Sequence, residues 1–94
     1  MIITASADGA SEAITVNHLQ NDFKVTVAIR PTADFDGTWS LQYNLSGDTW
    51  TTDEEATNQT GDFINFLLSP VRRVRLSIAS RTVGSVDLET LQGA

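Results

Sequence analysis

The chain contains no cysteine in its 94 residues, which removes disulfides, thiolate nucleophiles and cysteine-based zinc sites together. Positive charge is scarce: six Lys and Arg stand against twelve Asp and Glu, for a net charge of −6. A net-acidic surface is repelled by phosphate backbones and by anionic lipid, so neither nucleic acid nor membrane is an expected partner. No apolar run approaches the roughly 20 residues that span a bilayer. The opening MIITASADGA has neither a positive charge nor a long apolar core, so no secretory signal is expected. Helical periodicity is missing throughout, which excludes a parallel α/β architecture. With no repeat and no low-complexity linker, 1–94 is one domain.

What is present is alternation. In GTWSLQYNLSGDTW, residues 37–50, Trp39, Leu41, Tyr43 and Leu45 occupy every second position, with Ser40, Gln42 and Asn44 between them. A two-residue period puts the apolar set on one face of a pleated strand. Ser46-Gly47-Asp48 supplies turn chemistry, and Trp50 opens the returning strand. Phe23, Val25, Val27 and Ile29 repeat the period, ended by Arg30-Pro31. So do Val74, Leu76 and Ile78, and then Val86 and Leu88. Ile2–Ala5 reads as a short opening strand, and residues 1–8 as an N-terminal arm. Glu12–His18 reads as a strand through Ile14 and Val16. The polar stretch Thr52–Gly61 reads as a loop, and the apolar run Phe63–Leu68 as a strand covered on both sides.

About seven or eight short strands with turn signals every 8–12 residues predict an all-β antiparallel sandwich, immunoglobulin-like or jelly-roll-like. The expected core is Ile14, Val16, Phe23, Val25, Val27, Ile29, Trp39, Leu41, Tyr43, Phe66, Leu68, Val74, Leu76, Ile78, Val86 and Leu88.

Candidate sites are few. His18, the single histidine, is expected to serve structure at a strand end; no G-x-S-x-G elbow offers it a nucleophile. Asp34, Asp36 and Gly37 form a D-x-D-G fragment, but Trp39 and Leu41 follow where a calcium loop needs more oxygen ligands. The fragment reads as a turn, with a cation shared with Asp53-Glu54-Glu55 as the sharper alternative. The acids do not suggest the cleft-flanking pair of a glycosidase. No catalytic residue, metal site or cofactor is expected, and the chain reads as no enzyme. Asn44-Leu45-Ser46 and Asn58-Gln59-Thr60 match the glycosylation sequon by accident in a chain with no expected secretion signal.

The charge is nevertheless unevenly placed. Residues 1–62 hold ten acids and two bases (−8), while residues 63–94 hold two acids and four bases (+2). The bases of the second part are Arg72, Arg73, Arg75 and Arg81. Arg73 and Arg75 share one strand face, where they can pair internally with Asp87 and Glu89 of the next strand. Alternatively, their planar forks suit an acidic partner surface. Internal pairing is the simpler expectation.

The order GTWSLQYNLSGDTW, an apolar strand, VRRVRLSIAS and a closing GSVDL resembles a group of small tailed-bacteriophage virion proteins, over roughly residues 12–91. The resemblance implies a capsid decoration or cement protein, made in the host cytoplasm and residing on the capsid surface. Its partners would be the major capsid protein and copies of itself, as a homotrimer. Ile2 and Ile3 could add to a neighbour's sheet edge or complete their own sheet. With Arg72, Arg73, Arg75 and Trp50 they are the candidate interaction residues. The alternative is a carbohydrate-binding or host-recognition module of a tail fibre or baseplate, using Trp50, Tyr43 and Phe35 as sugar platforms.

Overall fold

The computed structural model describes residues 1–92; Gly93 and Ala94, at the trailing end of the chain, lie outside the described residues. Nine strands follow in order: β1 Ile2–Ala5, β2 Gly9–Ala10, β3 Ile14–Thr15, β4 Val25–Pro31, β5 Asp36–Ser46, β6 Thr49–Thr52, β7 Phe63–Leu67, β8 Arg73–Val83 and β9 Val86–Gln92. They form two antiparallel sheets. The first runs β1-β9-β4-β7 and the second β2-β8-β5-β6, with β3 also paired to β8. Strict alternation on β4, β8 and β9 gives each sheet one apolar face. Val25, Val27, Ile29, Val86 and Leu88 of the first sheet are buried against the set Ile14, Trp39, Leu41, Val74, Leu76 and Ile78 of the second. The protein is therefore a small all-β sandwich, as the alternation predicts.

Trp39 fills the centre. Its ring meets Phe63 edge-on at 5.6 Å, and its indole N–H donates to the Gly61 carbonyl at 3.0 Å. A fully buried indole without an acceptor would cost about 1–3 kcal/mol. Residues 53–61 satisfy it by running along the free edge of β5. The Leu41 amide donates to Ala56 O, the Asp53 amide to Leu41 O, and Trp39 exchanges both backbone bonds with Gln59. The expected loop is thus a strap that seals the tryptophan.

Three expectations are corrected. Phe63–Leu68 is not covered on both sides: β7 is the edge of its sheet, and Phe66 and Leu68, expected in the core, are 53% and 68% exposed. Leu45 is exposed because a bulge between Asn44 and Ser46 breaks the alternation, while Asn44, on the outward side, is buried beneath Trp50 and Arg73. Within Glu12–His18 only Ile14–Thr15 is strand; the Asn17 side chain accepts the Leu19 amide and its carbonyl accepts the Gln20 amide, turning the chain at His18.

β8 and β9 are joined by Gly84-Ser85 but belong to different sheets. Gly84 has φ +84°, and a Cβ there would lie 2.5 Å from Phe35 Cα. Only glycine lets the chain cross between layers at this point.

Candidate functional site

The outward face of the second sheet carries the polar cluster. Register places Gln42 between Arg75 and Thr52, and Asn44 between Arg73 and Trp50. The Trp50 ring lies across β5, with the Arg75 guanidinium carbon 3.9 Å and that of Arg73 5.2 Å from its centroid. Arg75 Nε donates to Gln42 Oε1 at 2.7 Å. Arg73 Nη2 donates to the Gly47 carbonyl at 2.8 Å, and its Nε to Asn44 Oδ1 at 3.3 Å. The Asn44 amide donates to Gly47 O and Thr49 O, both at 2.9 Å, which locks the hairpin tip. Asn44 is 1% exposed as a result.

Burial beside the ring, and then the like charge of Arg73, lower the pKa of Arg75 from its ordinary value. No carboxylate offsets this repulsion. Among the described residues the single ion pair is Arg30–Glu89, on the other sheet. Sequence reasoning paired Arg73 and Arg75 with Asp87 and Glu89, and the structure overturns that pairing. β9 lies in the opposite layer, where Asp87 accepts from the Thr4 hydroxyl and Glu89 from Arg30. Arg81 donates to the Gly84 carbonyl and has a structural task at the crossover.

Beside the stack is an open hollow of about 340 Å³ lined by Thr15, His18, Asn44, Gly47, Arg72 and Arg73. Arg72 and His18 enter it from two turns. Sequence reasoning named both residues, but nothing local in the sequence brings residue 18 beside residue 72. That adjacency follows from β3 pairing with β8 through Thr15 and Arg73.

The remaining candidates fall elsewhere. Ile3 packs in the core and Ile2 is exposed, on a β1 that completes its own sheet against β9. Asp34 and Asp36 accept the hydroxyls of Thr32 and Thr82. Asp53 accepts the Glu55 and Ala56 amides and the Tyr43 hydroxyl. Among the described residues no three His, Asp or Glu side chains cluster as metal ligands. The Asn44 amide is buried and fully engaged, which removes that sequon as a glycan acceptor.

A second surface escaped sequence reasoning. On the outward face of the first sheet, Phe66 of β7 and Leu91 of β9 flank Thr26, and Ile64 flanks Ala28. Ile64 and Leu91 are 63% and 71% exposed. The available signal was Leu91 itself, an apolar residue on the phase of Asp87 and Glu89. The Lys24 ammonium sits 5.0 Å from the centroid of the Phe66 ring. The apolar side chains share this face with Asp87 and the Arg30–Glu89 ion pair, so they form a patch on it rather than covering it.

Fold and sites together define a small β-sandwich with an arginine-rich outward face on one sheet and an exposed apolar patch on the other. No protein-family model, curated protein or solved structure matches the chain.

Proposed function

We propose that this protein is a non-enzymatic capsid decoration or cement protein, which attaches to the outside of a phage head and stabilises its lattice. The observation that carries the reading is the exposed apolar patch of Ile64, Phe66 and Leu91 on the first sheet, continuous with the unpaired edge of β7. Ile64 and Phe66 project from an edge strand, Phe63–Leu67, that contains neither proline nor charge. Sheets ordinarily protect such an edge with one or the other. An edge left in this state suits strand addition or apolar docking. The resemblance to small virion proteins supplies the class of surface it would meet. Trimeric self-association belongs to the same proposal, because several weak attachments in one assembly raise effective concentration without new contacts. Binding the assembled lattice and not its dissociated subunits stabilises it by mass action.

The sugar-binding alternative draws less support. Trp50 is half-buried under two arginines, the Tyr43 hydroxyl is tied to Asp53, and Phe35 packs against the core. These rings do not offer a common open plane.

Co-sedimentation with empty phage heads lacking the protein tests the proposal. The wild-type chain is expected to co-sediment and to raise the temperature of head disruption, and Phe66→Ser to lose both while folding normally. Absence of wild-type binding, or full binding by the variant, would refute it.

A further inference from the structure

We infer that the hollow beside Trp50 is a binding site for an acidic peptide segment, one presenting successive Asp or Glu side chains. The site is on the opposite layer from the apolar patch and stands independently of the proposed function. Four observations carry it. The Arg72 guanidinium has five N–H donors, and none of them has an acceptor among the described residues, although the chain carries twelve acids. Arg73 is already oriented by neutral acceptors, Asn44 Oδ1 and Gly47 O, so ordering it for a ligand costs little further entropy. Arg75 extends the positive strip along β8, held by Gln42 and by the Trp50 ring. Thr15 and His18 add a hydroxyl and an imidazole at the rim of the roughly 340 Å³ hollow.

Arg73 and Arg75 repel one another with no carboxylate paired to either among the described residues, and the like charge of Arg73 adds to burial in lowering the pKa of Arg75. Elsewhere in the described chain the exposed Arg30 is paired with a carboxylate. A carboxylate accepts both prongs of a guanidinium, which fits the unused fork of Arg72. The positive field is also short. Asp48 follows Gly47 at the rim, and residues 1–62 carry −8, so a long phosphodiester would meet repulsion on leaving the hollow. A peptide with two or three neighbouring acids fits that extent.

The test titrates the full chain with a hexaglutamate peptide at low salt, by calorimetry and by amide chemical shifts. Saturable binding that moves the Thr15, His18 and Gly47 amides is expected. Arg72→Ser should weaken it about tenfold or more, the share of one charge-assisted contact, while Arg30→Ser on the other sheet leaves it unchanged. The Arg72 side chain makes no internal hydrogen bond, so its variant should fold with an unaltered urea midpoint. A short oligodeoxynucleotide and inorganic phosphate serve as competing probes. Absence of saturable hexaglutamate binding, equal binding by Arg72→Ser, or tighter binding of the oligonucleotide or phosphate would overturn the inference.

Discussion

Replacing Asn44 by alanine should be among the most damaging single changes to the surface of this protein. Asn44 sits on the outward side of β5, yet the Trp50 ring and the Arg73 stem close over it and leave it 1% exposed. Its amide gives two hydrogen bonds at 2.9 Å to carbonyls of the hairpin, and its oxygen accepts Arg73 Nε. Each well-made bond contributes about 1 kcal/mol net, and a buried carbonyl left without a donor costs about 1–3 kcal/mol. Gly47 O keeps Arg73 Nη2 as a donor, so Thr49 O, on a residue exposed to solvent, is the carbonyl that loses its donor, at the low end of that range. The expected loss is about 2–4 kcal/mol. With a urea slope of about 1 kcal/mol/M, the unfolding midpoint should fall by about 2–4 M. Tryptophan fluorescence reads the transition, because Trp39 is wholly buried. Arg73→Met removes one of the same bonds, so the double variant should cost less than the sum of the singles by about 0.5–1 kcal/mol. A midpoint shift below about 0.5 M, or strict additivity with Arg73→Met, would refute the claim that the two residues act as one cluster.

Other outcomes follow from the same structure. Tyr43 is the sole tyrosine, and burial, then its hydrogen bond to Asp53 and the charges of Asp53 and Glu55, raise its pKa above the ordinary phenol value. The folded phenol should therefore stay protonated past pH 10, and the phenolate absorbance should emerge only as the chain unfolds. Its contribution is complete below the unfolded pKa near 10 and is lost as pH rises beyond it; in Tyr43→Phe that alkaline loss should shrink. Gly84→Ala places a methyl 2.5 Å from Phe35 Cα at φ +84°, and thermal unfolding should show a loss of more than about 2 kcal/mol. Leu41→Ala in the sealed core should cost about 2–5 kcal/mol, whereas Phe66→Ser should cost less than about 1 kcal/mol, with denaturant curves separating the two.

The alternation of Val25, Val27 and Ile29, of Val74, Leu76 and Ile78, and of Val86 and Leu88 made the two-layer core legible, because each strand has one wet and one dry face. Phe63–Leu68 misled for a physical reason. A run apolar on both phases is the pattern of a doubly covered strand and equally of an edge strand with a sticky outer face. The pairing of Arg73 and Arg75 with Asp87 and Glu89 failed because proximity in sequence implied a hairpin, while Gly84 carries the chain into the other layer. Exposure of Leu45 depends on a bulge and burial of Asn44 on a ring reaching from β6, neither of which has a local signature. The arginines were visible in the sequence; their lack of acidic partners became visible only with the sheets assigned.

The pairing of β1 with β9 through Ile2–Glu89, Ile3–Leu88, Thr4–Asp87 and Ala5–Val86 has a consequence for synthesis. β9 lies between β1 and β4, so half of one layer cannot zip up until the final stretch of the domain has cleared the ribosomal tunnel. The β4 valines stay uncovered on that side from their own synthesis until β9 has followed, which makes closure of this layer a long-range and late step of folding.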